Sequence, residues 1–380
     1  MKFNKIKGVS LLLIFIYILS AIIPTYSYAY SSGGEDIPAF VGVNPCENTE
    51  FSVGANSGEY KIASRFYELL FGKGKSANEE IYLIPGGEVF GIKLKEEFVS
   101  ITAVKETSAF RKGDKIVSVN GVEICSVSDV VDAVNECRGA AVSVQILRKG
   151  EKMTLTVIPK YEDGSYKLGI TLKDTACGIG TLTFVNKETG AFGGLGHGVC
   201  SSDGAVVAIK YGEACNVILG AAKRGESGKP GELSGILGQK KTGNIAINSE
   251  CGVFGVIDSA AYENETAIPI ARRGEVKVGE AEILSTVKGG KKASYKIEIT
   301  EIDTDSKGSK SFKIKVTDST LISLTGGIVR GMSGSPIIQD GKLVGAVTHV
   351  MVADPCEGYG IFIENMLNAS TARNELPRAA

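Results

Sequence analysis

The sequence predicts a mainly β protein in which two folded domains follow an N-terminal extension. Short runs of valine, isoleucine and threonine alternate with turn residues, and such runs suit pleated, half-buried strands. The chain has 48 glycines and no tryptophan. Its 380 residues exceed one ordinary domain, and 43% hydrophobic residues are ample for packed cores. We therefore expect few helices and two β-rich domains.

Residues 1–29 predict an export signal. Three lysines within the first seven residues precede an apolar stretch from Leu11 to Ile23, and Ser27-Tyr28-Ala29 forms a small-x-small cleavage site. The segment is either a cleaved signal peptide or a signal anchor, because its apolar run is slightly short for a bilayer span. Residues 30–77 are predicted to be a linker. We expect the remainder of the chain to act outside the cytoplasm.

Charge and cysteine spacing exclude several functions. A net charge of -1 and the absence of a basic cluster make nucleic acid an unlikely partner on electrostatic grounds. The eight cysteines contain no Cys-x-x-Cys pair, which argues against a zinc site. We expect no metal and no cofactor. Unpaired cysteines are favoured over disulfides, because a chain of this size does not need covalent staples.

Residues 78–160 resemble a PDZ domain. The motif Gly113-Asp114-x-Ile116-x-x-Val119-Asn120-Gly121 contains a two-residue hairpin turn, since both Asn120 and Gly121 tolerate a positive φ. The other predicted elements are strands Val89–Leu94 and Ser100–Val104, a helix capped by Ser126 or Ser128, and a hairpin of Val142–Leu147 with Thr154–Ile158. PDZ domains add an extended peptide as a strand to an exposed sheet edge. The resemblance places that peptide site at Val89-Phe90-Gly91-Ile92.

Residues 161–375 predict strands and hairpins throughout. No alternation of strands with helices occurs, so a parallel sheet is not expected. Closely spaced strands with glycine-rich turns favour closed barrels or sandwiches, and about two hundred residues suffice for two six-stranded barrels.

The segment Gly331-Met332-Ser333-Gly334-Ser335-Pro336 carries the sharpest chemical signal. Acyl transfer needs a nucleophilic hydroxyl on a tight turn whose backbone N–H groups converge, and the flanking glycines allow such a turn. Ser333 supplies the hydroxyl. The N–H groups of Gly331 and Ser333 would form the oxyanion hole.

A serine nucleophile requires a base, and the chain has two histidines, His197 and His349. The order histidine, aspartate, serine favours His197, which sits in a turn of small residues. Thr348 and His349 lie on the strand that returns from the serine and are expected to line the substrate cleft. Among the candidates for the acid, Asp318 is best placed at a strand end; the others left open by the sequence are Asp203, Asp258 and Asp303.

The chain as a whole resembles the SpoIVB peptidases of endospore-forming bacteria. The shared features are the export signal, the PDZ-like domain, Gly-Leu-Gly-His197, Thr317-Asp318-Ser319, Gly331-Met332-Ser333-Gly334-Ser335-Pro336 and Gly345-Ala346-Val347-Thr348-His349-Val350. The resemblance implies a PDZ-like domain followed by a chymotrypsin-like double β-barrel, and a triad of His197, Asp318 and Ser333.

The resemblance also implies a biological role. Such a peptidase is exported across, or anchored in, the forespore membrane and acts between forespore and mother cell. It cleaves a membrane-bound regulator of the protease that processes a late mother-cell sigma factor, and it cleaves itself. Its PDZ-like domain would bind peptide tails.

Two other functions remain open on sequence grounds. One is a catalytically inactive, export-anchored scaffold that binds peptides through its PDZ-like domain. The other is a cysteine hydrolase that pairs Cys200 or Cys356 with His349. Neither cysteine lies in a turn suited to an oxyanion hole, so the cysteine hydrolase ranks last.

Overall fold

The computed structural model describes residues 80–106, 108–201 and 204–371, together with the backbone of 37–38 and 41–42. The predicted export signal and most of the predicted linker lie outside these residues. No helix in the described ranges is both long and apolar enough to cross a membrane.

The chain is mainly β, as predicted. The strands are β1 (Ile37–Pro38), β2 (Val41–Gly42), β3 (Tyr82–Pro85), β4 (Val89–Val104), β5 (Lys115–Val119), β6 (Val122–Glu123), β7 (Val142–Arg148), β8 (Glu151–Val157), β9 (Lys160–Glu162), β10 (Ser165–Lys167), β11 (Ile170–Val185), β12 (Ala191–Gly194), β13 (Ile209–Lys223), β14 (Glu232–Ser249), β15 (Gly252–Ile257), β16 (Ile268–Pro269), β17 (Gly279–Lys288), β18 (Lys291–Ile302), β19 (Phe312–Val316), β20 (Pro336–Gln339), β21 (Lys342–Val350) and β22 (Glu357–Phe362). The helices are α1 (Val127–Glu136), α2 (Ser319–Thr325) and α3 (Ile363–Thr371), with 3-10 turns at Ser259–Tyr262 and Arg273–Glu275.

Two closed six-stranded barrels form the larger part of the described chain. In the first, the order is β11-β12-β15-β14-β13-β4, and pairing of β4 with β11 closes the ring. In the second, the order is β21-β20-β17-β18-β19-β22, and pairing of β21 with β22 closes the ring. Closure removes the unpaired sheet edges that an open sheet would expose. The predicted double barrel is therefore present.

Each barrel is filled by its own apolar core. Phe90, Phe192 and Leu195 belong to the cluster within the first barrel. Phe312 and Met332 belong to the cluster within the second. Each core contains a pair of contacting aromatic rings. The ring centroids of Phe90 and Phe192 are 5.8 Å apart in the first barrel, and those of Phe312 and Phe362 are 5.3 Å apart in the second. Burying such rings is a large part of what holds each barrel together.

The PDZ-like region packs α1 against β5, β7 and the outer halves of β4 and β11. Asn120 and Gly121 have φ of 49° and 82°, as a hairpin turn of this type requires. Ser126 caps α1 and forms a capping box with Asp129. The hairpin turn and a helix capped by Ser126 or Ser128 were predicted from the sequence, whereas the capping box with Asp129 was not.

Asp114 of that motif has a structural role. Its side chain is buried and accepts two hydrogen bonds from the Arg148 guanidinium, at 2.8 and 2.7 Å, and one from the Arg111 N–H at 2.8 Å. Desolvation opposes ionisation, but these hydrogen bonds outweigh it and lower the pKa of Asp114. The aspartate therefore ties the loop before β5 to β7.

The predicted peptide site at Val89-Phe90-Gly91-Ile92 is wrong. Gly91 pairs with Ile179 of β11 on one side and with Cys215 of β13 on the other. Phe90 and Ile92 are buried in the first barrel. This half of β4 offers no free edge to a peptide, because its hydrogen-bonding groups already serve the barrel.

The predicted strands Val89–Leu94 and Ser100–Val104 are one continuous strand. Charged residues lie between the two predicted segments, and one of them, Lys95, forms an ion pair with Asp174. Glu96 is buried and lies 3.4 Å from the Lys173 ammonium group. Salt bridges across β4 and β11 thus keep the charged stretch in the sheet, so the strand crosses from the barrel into the PDZ-like region.

Candidate active site

Ser333 lies in a tight turn between α2 and β20. Gly331 and Gly334 have φ of 97° and 95°, a conformation that favours glycine. A Cβ on Gly334 would lie 1.9 Å from the carbonyl oxygen of Thr181, so only glycine fits there. The Ser333 hydroxyl is fully buried and lies 2.7 Å from the Leu195 carbonyl oxygen and 3.0 Å from that of Thr348.

His197 follows β12 in a second tight turn, formed by Leu195 and Gly196. These two residues have φ of 68° and 69°, which is unusual for a leucine. His197 Nδ1 donates to the carbonyl oxygen of Gly198 at 2.8 Å. That bond places the proton on Nδ1 and leaves Nε2 with a lone pair, as a general base requires.

The environment of His197 disfavours its charged form. The ring is 3% exposed and Nε2 has no hydrogen-bond partner. Burial lowers the pKa of His197 to about 4, and the bond to Gly198 only partly opposes this effect. In the described state His197 is a neutral imidazole and a weaker base than free histidine.

His349 lies against His197. The two ring centroids are 5.2 Å apart, and His349 Nδ1 is also buried without a hydrogen-bond partner. Burial and, to a smaller degree, the neighbouring His197 and Lys310 lower the pKa of His349 to about 3. The returning strand β21 therefore brings a second neutral imidazole to the base.

Thr348 contributes its backbone rather than its side chain. Its carbonyl oxygen accepts the hydrogen bond from Ser333, while its hydroxyl faces Ser309 and Tyr359 carbonyl oxygens at 2.8 and 3.1 Å. Thr348 and His349 were both predicted to line the cleft. In the structure Thr348 bonds to Ser333, and His349 lies against His197.

Asp318 is not brought to His197 in the described state. It is the N-cap of α2, where its carboxylate accepts hydrogen bonds from the N–H groups of Leu321 at 2.9 Å and Lys296 at 3.3 Å. The far nitrogen of His197 is already bound to Gly198. The Ser333 hydroxyl bonds to the backbone beside each histidine, at Leu195 and Thr348, but not to His197 Nε2, and the predicted acid lies at a helix end.

The other acid candidates do not replace Asp318. Asp258 caps a 3-10 turn through the Ala260 N–H, and Asp303 accepts a hydrogen bond from the Asp305 N–H. Asp203 lies outside the described residues. Across the described chain, no group of three or more histidine, cysteine, aspartate or glutamate residues could hold a metal ion.

Thr181 and Thr183 are site residues that the sequence did not reveal. Both are fully buried on β11, and their hydroxyls donate to the carbonyl oxygens of Gly331 at 2.7 Å and Gly334 at 2.8 Å. Sequence reasoning identified Thr181–Val185 only as a strand. Two threonines on one face of the otherwise apolar second half of β11, residues 176–185, were the available signal, because buried hydroxyls need partners.

A groove of about 530 Å³ lies between α1 and the outer end of β11. Val127, Val131 and Val134 line it from the helix, and Gly169, Ile170 and Leu172 line it from the strand side. On its other edge this part of β11 pairs with β4, through Ile170 with Val104 and Leu172 with Ile101. Apolar side chains beside a strand edge are what an added peptide strand would need.

Two family models match the chain. A model described as SpoIVB peptidase S55 matches residues 164–367, and a PDZ domain model matches residues 90–158. A Lactococcus lactis protein named as a zinc metalloprotease is 34% identical over 85 residues. That alignment covers 22% of this chain and 18% of the relative.

Solved structures show distant similarity. A protease from M. tuberculosis in its active form is 12% identical, with a TM-score of 0.31, and the alignment covers 53% of this chain and 76% of that one. The PDZ domain of an SdrC-like protein from Listeria monocytogenes is 20% identical, with a TM-score of 0.19. That alignment covers 20% of this chain and 90% of the PDZ domain.

Proposed function

Because the chain belongs to the SpoIVB peptidase S55 family and is a serine endopeptidase, we propose that Ser333 is its nucleophile and His197 its general base. One observation carries this assignment. Two tight turns from different barrels meet, one of them with Leu195 at a positive φ, and the Ser333 hydroxyl donates to the carbonyl oxygen of Leu195, two residues before His197. Strained backbone of this kind is concentrated at functional sites.

The proposed reaction is hydrolysis of a peptide bond through an acyl-enzyme. The Ser333 proton passes to His197 Nε2 as Oγ attacks the scissile carbonyl carbon, and the N–H groups of Gly331 and Ser333 bind the oxyanion. His197 then gives the proton to the leaving amine, and water attacks the acyl group to regenerate Ser333. In the described state the hydroxyl must first leave the Leu195 and Thr348 carbonyl oxygens.

Asp318 is the proposed acid of the triad, on the strength of the family resemblance. A carboxylate near Nδ1 would stabilise the imidazolium and raise the pKa of His197 toward the working pH. The assignment requires that Asp318 exchange its bonds to Leu321 and Lys296 for one to His197. We therefore propose that the described state is a resting state that precedes this exchange.

The biological role is proposed from the same resemblance. The protein would be exported across, or anchored in, the forespore membrane and act between forespore and mother cell. Its substrate would be a membrane-bound regulator of the protease that processes a late mother-cell sigma factor. The protein would also cleave itself. The apolar segment before Ala29 supports export.

The PDZ-like region is proposed to bind peptide tails in the groove between α1 and β11. An incoming strand would pair with β11 while its apolar side chains contact Val131 and its neighbours on the helix. We expect micromolar affinity, or about 8 kcal/mol, which is enough to raise the local substrate concentration without slowing release.

Labelling with a fluorophosphonate tests the proposed nucleophile. Ser333 Oγ would form a bond to phosphorus as fluoride leaves, and the proton would pass to His197. We expect wild-type protein to label, and Ser333→Ala and His197→Ala to lose labelling and self-cleavage, with turnover falling on the order of 10⁶-fold. If wild-type protein does not label, the catalytically inactive peptide-binding scaffold is favoured instead. Labelling of the serine variant would exclude Ser333 as nucleophile.

The structure gives no support to a cysteine nucleophile at position 356. The Cys356 thiol lies 3.5 Å from the Gly326 carbonyl oxygen, and burial raises its pKa. A nucleophilic cysteine needs the opposite shift, because the thiolate is the reactive form.

A further inference from the structure

We propose that Thr181 is a positioning residue that fixes two turns relative to each other. These are the nucleophile turn, residues 331–334, and the base turn, residues 195–197. This inference rests on the proposed function, because it assumes that Ser333 attacks and His197 accepts its proton. Thr181 lies on β11 in the first barrel, whereas Ser333 belongs to the second barrel. Its backbone N–H, hydroxyl and carbonyl group each bond to one of the two turns.

Two of these bonds hold the nucleophile turn. The Thr181 N–H donates to the Ser333 carbonyl oxygen at 2.8 Å, and the Thr181 hydroxyl donates to the Gly331 carbonyl oxygen at 2.7 Å. The two acceptors lie at either end of the segment Gly331–Ser333. The proposed oxyanion donor at Ser333 is thus held between two fixed points.

The third bond holds the base turn. The Thr181 carbonyl oxygen accepts from the Leu195 N–H at 3.2 Å, and the Leu195 carbonyl oxygen accepts from the Ser333 hydroxyl at 2.7 Å. Leu195 is two residues before His197. A closed circuit of Thr181, Leu195 and Ser333 therefore fixes the separation between nucleophile and base.

The surroundings of Thr181 make this circuit rigid. Thr181, Leu195 and Ser333 are all fully buried, so water does not compete for their hydrogen bonds. A Cβ built on Gly334 would lie 1.9 Å from the Thr181 carbonyl oxygen and 2.5 Å from the Leu195 nitrogen, so the turn at Ser333 packs directly on both backbones. A change in the bonds of Thr181 should therefore move that turn as a unit.

The test compares Thr181→Val with Thr181→Ser in the full-length protein. Valine keeps the shape but removes the hydroxyl, whereas serine keeps the hydroxyl. We expect Thr181→Val to lower the maximal rate of fluorophosphonate labelling roughly 10- to 100-fold with little change in the half-saturating probe concentration. Thr181→Ser should label within about threefold of wild type.

Thr286→Val is the matched control. Thr286 is also a buried strand threonine whose hydroxyl donates to a backbone carbonyl, that of Gly87 at 2.9 Å, but it contacts neither turn. It should lower thermal stability as Thr181→Val does and leave the labelling rate unchanged. Thermal midpoints of all variants are measured alongside.

The outcomes separate this inference from the proposed function. Three results would each overturn the role of Thr181. Thr181→Val could label at the wild-type rate, Thr181→Val and Thr286→Val could lose equal labelling rate, or Thr181→Ser could fail to restore the rate. None of these results would affect Ser333. Labelling of Ser333→Ala would instead overturn the proposed function itself. If Thr181→Val does not fold, the rate of Thr181→Ser against Thr181→Ala decides, since serine alone retains the hydroxyl.

Discussion

His197 holds its tautomer without a carboxylate, through the carbonyl oxygen of its neighbour Gly198. A backbone carbonyl can orient an imidazole, but it carries no full charge to stabilise an imidazolium. The low pKa of His197 is the expected result, because burial acts and no charged partner opposes it. In this structure the His197 ring is therefore oriented, but it is a weak base.

Sequence reasoning at this scale selected Ser333 and His197 as candidates but missed their surroundings. The glycines around Ser333 and the rarity of histidine were visible in the chain. The contact of His349 with His197 was not, because it depends on how β21 and β12 meet across two barrels. The capping role of Asp318 was available from the Ser-Thr-Leu run after it, since aspartate is a favoured N-cap.

Substitution can separate the capping role of Asp318 from its proposed role as the acid of the triad. Asparagine caps a helix as well as aspartate does but has no charge. We expect Asp318→Asn to keep the wild-type thermal midpoint and to lose roughly 10⁴-fold in turnover, as for other triads. Asp318→Ala should additionally cost about 1 kcal/mol of stability, measured by urea unfolding. Full activity in Asp318→Asn would restrict Asp318 to capping.

The buried histidines make stability depend on pH. Their folded-state pKa values of about 4 and about 3 lie below the ordinary value near 6.5. As pH falls below about 6.5, the two histidines become protonated in the unfolded chain but stay neutral in the folded chain. The free energy of unfolding therefore decreases. We expect a loss on the order of 3 kcal/mol from His197 by pH 4.5, seen as a lower urea midpoint.

A double variant controls this prediction. Replacing His197 and His349 with glutamine removes both titrating groups and should flatten the curve between pH 6.5 and 4.5. Lys310, which also faces His349, is unchanged by the substitutions. An unaltered slope in the double variant would assign the acid sensitivity to other groups.

At the scale of elements, β11 carries residues of both the proposed peptide groove and the proposed catalytic site. Its outer residues Ile170–Leu172 line the groove beside α1, and its inner residues Thr181 and Thr183 hold the nucleophile turn. The PDZ-like elements were predictable because turns and caps depend on local sequence. The peptide edge was not, because a period of two shows that a strand is buried but not which strands pair with it.

The groove can be tested at the exposed helix residue Val131. Val131 is 46% exposed on α1 and lines the groove, so lysine there would place a charge against an apolar peptide side chain. We expect Val131→Lys to weaken binding of a fluorescent peptide with an apolar carboxyl terminus at least roughly tenfold, or about 1.4 kcal/mol. Val122→Lys is the control, since Val122 is exposed on β6 away from the groove lining. Equal weakening by both would place the peptide elsewhere.

At the scale of the whole molecule, the two family-model matches do not correspond to separable folding units. β4 precedes the match to the peptidase model, yet its residues Val89–Lys95 pair with β11, and it also pairs with β13, to close the first barrel. β3 likewise pairs with β11 from outside that match. The sequence predicted two consecutive domains. It does not show that β4, which precedes most of the PDZ-like elements, is a strand of the first barrel.

Truncation therefore should not yield an independent protease. A fragment of residues 164–371 lacks β4, so the first barrel would be open and expose unpaired edges of β11 and β13 together with apolar side chains such as Ala214. We expect this fragment to aggregate or to unfold without a cooperative transition, and not to react with fluorophosphonate.

The control is the fragment of residues 80–371, which includes every barrel strand and should melt cooperatively and label at Ser333. Adding a synthetic peptide of residues 82–95 to the shorter fragment should restore part of the labelling, because the missing strand can pair in trans. A cooperative melt with full labelling by residues 164–371 alone would show that the barrel closes without β4.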